Sequence, residues 1–229
     1  MAVEPSTNAR IRAVITGATG MVGEGVLHEC LGHSNVEQVL VVGRRSCGIS
    51  HPKLKEILRE DLSDLSGIRE SLRGFNACYF CLGATSAGKT EEEYMRLTHD
   101  LTLHMAGLLA ELNPSMVFCY VTAAGTDRTG QGRSMWARVK GKTENDLLKL
   151  SFVKVYFFRP GFIRPTPGLV RAHKYYKAIG WMYPVLRALF PKYVITLQEI
   201  GRAMIHVTYR HYHSDILESR DIGLMARAD

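Results

Sequence analysis

Cysteine is scarce in this chain. There are five, an odd number, and no spacing among them resembles a disulfide framework. That excludes a disulfide-stapled secreted scaffold and predicts a reducing compartment, read here as the cytoplasm. Long apolar runs are also missing. The longest near the C-terminus, "AIGWMYPVLRALF", is interrupted by Pro184 and Arg187 and is too short to span a bilayer. It predicts a packing helix rather than a membrane segment. The polar start "MAVEPSTNAR" carries no secretory leader pattern. Low-complexity tracts, internal repeats and long linkers are absent, so 229 residues are expected to form a single domain over 1–229, with 162–229 as its C-terminal part. Recognition signatures for DNA or RNA are lacking too. The 29 basic and 22 acidic residues leave a net charge of +7, but the basic residues are scattered. A pocket for a phosphorylated small molecule accounts for such an excess as well as nucleic acid does.

What the chain does have is alternation. "RIRAVIT", "VEQVLVVG", "KLKEIL", "NACYFCL", "MVFCYVT" and "VKVYFFRP" read as strands. Helical patterns fall between them: "GMVGEGVLHECLGH", "LSDLSGIRESLR", about Thr90 to Leu112, and "SMWARVKGKTENDLLKL". Strand–helix alternation predicts an α/β fold, a doubly wound parallel sheet of Rossmann type with helices on both faces. After Gly161 the pattern changes to two helical stretches, about Lys174 to Leu189 and Leu197 to Tyr212, behind loops rich in proline and glycine. Ligands of such a sheet bind beyond the carboxyl ends of its strands. This C-terminal helical region is therefore expected to wall the substrate side.

Two glycine-rich stretches compete for a phosphate. "TGATGMVG" places Gly17, Gly20 and Gly23 at the first strand-to-helix turn. There a tight turn, close backbone approach and close helix packing each call for glycine, and the helix N-terminus can receive a pyrophosphate. "GATSAGKT", Gly83 to Thr90, matches the phosphate-loop pattern of nucleoside triphosphatases. It follows a later strand, however, and no strand ends in the acidic residue that helps such enzymes hold magnesium. The first stretch is therefore read as the binding motif for a dinucleotide, with Thr19, Met21 and Val22 completing it. The second is read as a turn beside the cofactor, and Lys89 as a lip residue.

The second strand lacks an acidic end. No Asp or Glu stands between Glu37 and Glu56, and "VVGRR" supplies Arg44 and Arg45 instead. A carboxylate there would bind ribose hydroxyls and repel a 2′-phosphate, whereas a guanidinium pairs with that phosphate. The expected cofactor is NADP, with NADPH preferred over NADH. No metal set emerges. "CYFC" puts Cys78 and Cys81 on opposite faces of a strand, and the histidines of "HECLGH" do not share a helix face.

Taken in order, "TGATGMVG", "VVGRR", "EDL" at Glu60 to Leu62, "CLGAT", "YVTAAG", "WARVKGKTE" and "FRPGF" resemble atypical short-chain dehydrogenases/reductases. The closest resemblance is to the branch of the Tat-interacting-protein-type oxidoreductases and their bacterial relatives, from Ala13 to about Arg210. The resemblance implies an NADP-binding Rossmann protein. By position, it makes Asp61 and Leu62 flank the adenine and sets Leu82, Gly83, Ala84 and Thr85 beside the nicotinamide ribose. Pro160 and Gly161 border the nicotinamide, and Lys140 is the active-site lysine that binds the ribose. In that superfamily a tyrosine stands four residues before the lysine. Here Trp136 stands there, and an indole is no general acid near neutral pH. Thr122 takes the place of the usual serine. Tyr120, Tyr175 and Tyr176 are alternative proton donors. Two functions follow as expectations: an oxidoreductase acting on a small carbonyl or related compound, or a dinucleotide-binding sensor without turnover.

Overall fold

The computed structural model of the protein describes residues 10–164 and 194–228. Its central sheet is seven-stranded and parallel throughout. In chain order the strands are β1 (Ile11–Thr16), β2 (Val36–Gly43), β3 (Leu54–Leu58), β4 (Ala77–Phe80), β5 (Val117–Val121), β6 (Lys154–Arg159) and, after a two-stranded parallel pair of β7 (Phe162–Arg164) and β8 (Val194–Thr196), β9 (Ile216–Glu218). Across the sheet the order is β3-β2-β1-β4-β5-β6-β9. The order reverses at β1, which has β2 on one side and β4 on the other, so a crevice opens there beyond the strands' carboxyl ends.

Both faces of the sheet are covered, which is why its strands read as apolar runs rather than as alternation. Ala13, Ile15, Tyr79, Cys119, Tyr156 and Phe158 point to one layer, formed with α1 (Met21–Gly32), α5 (Leu197–Tyr209) and α6 (Ser219–Met225). Val14, Cys78, Phe80, Phe118, Tyr120 and Phe157 point to the other, formed with α3 (Leu101–Leu112) and α4 (Met135–Leu147). At ~1.5–3 kcal/mol for each fully buried large side chain, these layers outweigh the surface ion pairs. Cys78 and Cys81 do fall in opposite layers, and all five cysteines are free.

Two expected helices differ from the reading above. The region 62–73 holds two short 3₁₀ turns, Ser66–Ile68 and Glu70–Leu72. Asp61 and Asp64 each accept the amide and hydroxyl protons of the serine two residues on, and these local bonds compete with a continuous helix. Leu65, Ile68 and Leu72 nevertheless stay buried, as their spacing required. The helix expected from Thr90 to Leu112 starts as α2 (Glu91–Met95) and runs into α3 through a π-helical turn, Arg96–Asp100. The stretch expected to be helical from Lys174 to Leu189 lies outside the described residues.

Candidate dinucleotide-binding and catalytic site

The three glycines of the first turn have separate duties. Gly17 has φ +69°, and a Cβ there would come within 2.6 Å of the Cys81 carbonyl oxygen. At Gly23 a Cβ would meet the Gly17 carbonyl oxygen at 2.1 Å, so the helix could not lie so close to the turn. At Gly20 the nearest atom would be 3.3 Å away. Gly17 and Gly23 are thus required by the protein's own packing, while a Cβ at Gly20 would crowd the Gly17 carbonyl oxygen alone, beside otherwise open space. Helix α1 starts at that space without a side-chain cap. The amides of Met21, Val22 and Gly23, with no acceptor among the described residues, face the turn as free donors at the positive end of the helix dipole. An open cradle with uncapped amides fits a pyrophosphate.

The cradle continues into two adjoining cavities that share Arg44, Leu62 and Leu82. The smaller, about 40 Å³, is lined by Gly17, Thr19, Val41 and Arg45 among others. The larger, about 180 Å³, adds Glu60, Asp61, Gly83, Ala84, Leu97 and Leu101. Residues from four separated stretches, 17–19, 44–45, 61–62 and 82–84, therefore meet in one groove. Thr16 holds the floor in place, since its hydroxyl accepts the Leu82 amide at 3.3 Å. Arg44 and Arg45 are both exposed at the end of β2. Sequence reasoning missed Leu97 and Leu101, which reach the groove from the π turn and the start of α3. The exposed Leu97 offers apolar surface that a flat base would cover. Thr85 turns to its own loop instead, where its Oγ1 accepts the Ala87 amide at 3.3 Å.

The second glycine-rich stretch is built differently. Thr90 caps α2 by accepting the Glu93 amide at 3.2 Å, and Glu93 accepts the Thr90 amide at 2.9 Å, a reciprocal capping box. The Lys89 amide donates to the Ser86 carbonyl. The amides of Ala87, Lys89, Thr90 and Glu93 are thus engaged within the loop and its helix cap.

At the carboxyl ends of β5 and β6 the candidate catalytic residues gather on and around α4. Trp136 packs its ring toward Gly125, where a Cβ would lie 3.8 Å from the tip of the indole. The close approach of α4 to the loop before it depends on Gly141, since a Cβ there would meet the Asp127 carbonyl oxygen at 1.7 Å. Pro160 and Gly161 are pinned by two bonds: the Ala124 amide donates to the Pro160 carbonyl at 3.0 Å, and the Gly161 amide to the Ser219 hydroxyl at 2.9 Å. Thr122 is buried, and its hydroxyl donates to Glu144 at 2.9 Å. Glu144 is fully buried and also accepts from Arg128 Nε at 2.7 Å and Arg159 Nε at 3.0 Å. This cluster was not foreseen. Glu144 stands one helical turn after Lys140, a visible signal, but nothing local shows that arginines from a loop and from β6 converge on it. Lys140 is half-buried, and its Nζ has no hydrogen bond or ion pair among the described residues. Burial pushes its pKa down to about 8, against an upward pull from Glu144. Tyr120 lies in the α3–α4 layer, completely buried, and burial lifts its hydroxyl well above the usual tyrosine range. Tyr175 and Tyr176 lie outside the described residues. Among the described residues no group of side chains could hold a metal ion, and no helix is long and apolar enough to cross a membrane.

The sequence pattern of the "NAD dependent epimerase/dehydratase family" matches residues 13–130, just over half of the chain. The chain belongs to that family. It is 30% identical to "Protein fmp52-1, mitochondrial" of Aspergillus oryzae over 65% of this chain and 64% of that protein, so it spans just under two thirds of that relative. It is 25% identical to "Protein HTATIP2" of Rattus norvegicus over 75% of each chain. This agrees with the Tat-interacting-protein-type resemblance. A short-chain dehydrogenase family protein from Francisella tularensis has the same fold, with a TM-score of 0.62, 16% identity and coverage of 92% of this chain and 96% of that one. The Bordetella bronchiseptica enzyme WbmG, solved in complex with NAD, superposes with a TM-score of 0.64 at 14% identity, covering 91% of this chain and 73% of that one. The family and these neighbours together support a Rossmann fold that binds a nicotinamide dinucleotide. The expected cytoplasmic location is corrected by the relatives: the proteins from A. oryzae, Debaryomyces hansenii and Eremothecium gossypii are each named mitochondrial. Free thiols exclude only oxidising compartments, so they never separated the cytoplasm from a reducing organelle interior.

Proposed function

We propose that the protein is an NADPH-dependent oxidoreductase acting on a small carbonyl compound. The observation that carries the cofactor choice is the exposed pair Arg44 and Arg45 at the end of β2, in the groove with Gly17 and Thr19, where a β2 carboxylate is missing. The bound cofactor would supply the hydride. Met21 to Gly23 would hold its pyrophosphate, Asp61 and Leu62 its adenine, and Leu82 to Thr85 with Lys140 its nicotinamide ribose. Pro160 and Gly161 would border the ring, and Thr122, through Glu144, would steady the wall against which the substrate lies. Titration by nicotinamide fluorescence tests the choice. NADPH should bind more tightly than NADH, and the double change Arg44→Ala/Arg45→Ala should remove most of the difference, at about 1–3 kcal/mol per charged hydrogen bond. Equal affinity for the two cofactors in the parent protein would overturn it. One observation favours binding without turnover instead: Trp136 in the tyrosine position. Carbonyl-dependent oxidation of NADPH separates the two readings.

A further inference from the structure

Helix α1 has a second end, and a second cavity lies against it. The turn from Gly17 to Gly23 stands at its N-terminus, whereas His28, Glu29, Gly32 and His33 lie toward and just past its C-terminus. A helix of this length spans about 18 Å, and the cavity shares no lining residue with the dinucleotide groove. With Arg202 and His206 of α5 these residues enclose about 380 Å³, within the range of about 300–1,000 Å³ usual for a small-molecule site. We propose that this cavity binds a small oxyanion, a phosphomonoester or a dicarboxylate, at a site separate from the cofactor's and independent of the oxidoreductase reading.

The walls exclude other ligand classes. Apart from Gly32 and Ala226, every lining residue is ionisable, so a hydrophobic ligand finds no apolar surface to cover. Glu29 is the one carboxylate among the described lining residues, and Arg202 Nε donates to it at 3.0 Å, so a cation finds no free counter-charge. Donors remain in excess. Arg202 is tied through Nε alone, and its two Nη groups bond nothing among the described residues. The two inner imidazoles are held by their Nδ1 atoms. His33 Nδ1 accepts the Asn35 amide at 3.1 Å, which puts the proton of the neutral ring on Nε2. His206 Nδ1 lies 2.7 Å from the Met225 carbonyl oxygen, to which it can only donate. The rings stand edge to face at 5.9 Å, and neither Nε2 has a partner among the described residues. His206 is only 6% exposed, yet its Nε2 is not sealed off from the cavity.

The charges around these rings are weighted against protonation in the absence of an anion. Burial holds His33 below the ordinary histidine range, and His206, Lys53 and Arg202 add to that effect against the pull of Glu29. Lys53, just before β3, donates to the His33 carbonyl at 2.7 Å. His28 is exposed, and Cys30 is buried in the core with its thiol pushed well above the usual range. Tyr209 packs on His206 at 5.7 Å between ring centroids, with Arg210 5.8 Å from the tyrosine ring. Past α6, Arg227 lies 3.5 Å from Glu199. A bound dianion supplies the counter-charge that the imidazoles lack and favours their protonated form. Binding therefore takes up protons, and affinity rises as pH falls.

The test follows the ring resonances of the ¹⁵N-histidine-labelled protein while sulfate, glycerol 3-phosphate or succinate is added at constant ionic strength. His33→Gln and His206→Gln assign the resonances. Sulfate stays a dianion throughout, so its pH dependence reports the protein alone. Saturable shifts at His33 and His206 are expected, with the His33 midpoint moved upward by the anion. Sulfate affinity should increase from about pH 8 to 5.5, by at most about tenfold per pH unit for each proton taken up. Tighter binding of glycerol 3-phosphate marks a phosphomonoester site and tighter binding of succinate a dicarboxylate site; either supports the proposal. Gly32→Phe fills the cavity, and a Cβ at Gly32 meets nothing within 4 Å, so the variant should fold. Gly32→Phe and Arg202→Gln should each weaken sulfate binding by about tenfold or more. Gly20→Asp, at the other end of α1, should leave it within about threefold. Shifts that never saturate and match those given by sodium chloride overturn the proposal. So does sulfate binding kept in Gly32→Phe and lost in Gly20→Asp, which puts the anion at the cofactor turn. Zinc that binds the imidazoles stoichiometrically and expels sulfate also overturns it. Should a histidine variant fail to fold, calorimetric titration of sulfate into the parent, Gly32→Phe and Gly20→Asp decides the matter without assignments.

Discussion

The two helix starts that follow "GAT" in this chain look alike on paper and differ in what they leave available. At α1, Gly20 carries no capping side chain, and the amides of Met21, Val22 and Gly23 remain open toward the groove. At α2, Thr90 and Glu93 close the helix end on themselves, and Lys89 lends its amide to Ser86. A phosphate loop is a set of unspent donors rather than a string of letters. The string Gly83 to Thr90 has the letters, but the amides of Ala87, Lys89 and Thr90 are already bonded within the loop. α2 is in any case only five residues long before the π turn, so its dipole has little length over which to build.

Three changes test this difference, in decreasing size. Gly20→Asp puts a carboxylate into the cleared space and should abolish NADPH binding, a loss of more than about 100-fold. A Cβ at residue 20 would crowd only the Gly17 carbonyl oxygen, at 3.3 Å, so the melting temperature should fall only modestly. Binding that survives Gly20→Asp would move the pyrophosphate elsewhere. Thr90→Ala removes an N-cap and should cost about 1 kcal/mol in urea denaturation, with NADPH affinity unchanged. A loss of affinity without a loss of stability would make Thr90 a ligand after all. Lys89→Ala should alter NADPH affinity by less than about 1 kcal/mol, the scale of a surface charge. No phosphate should be released from ATP by the parent or by this variant, with or without magnesium. Magnesium-dependent release lost in Lys89→Ala would restore the triphosphatase reading.

The fold was legible because the sheet strands up to β6, apart from the half-exposed edge strand β3, are covered on both faces, and the long crossover helices carry their own turn signals. Gly17 to Gly23 was legible because its chemistry is local. Leu97, Leu101 and the Glu144 cluster were not. Their significance depends on a π turn and on arginines brought together from residues 128 and 159, and no periodicity encodes such convergence. The helix expected at 62–73 failed for a similar reason: the apolar spacing of Leu65, Ile68 and Leu72 was right, but Asp61 and Asp64 turn their own backbone out of a helix. Thr122 was singled out for standing in the place of the usual serine. Its partner, a fully buried carboxylate on the neighbouring helix, was beyond the reach of spacing alone.

The close seat of α5 on α1 bears on how the chain is made. A Cβ at Gly25 would meet Leu197 at 2.8 Å, and one at Gly201 would meet Glu29 at 2.7 Å, so the two helices are fitted to each other across most of the chain's length. The sheet face bearing Ile15, Tyr79, Cys119, Tyr156 and Phe158 shares its core with α5 and α6, both encoded near the end. On the ribosome, β1 to β6 therefore emerge with one face clothed by α3 and α4 and the other still partly bare. That interval, rather than any step after release, is when the nascent chain is most exposed to aggregation and most in need of a chaperone.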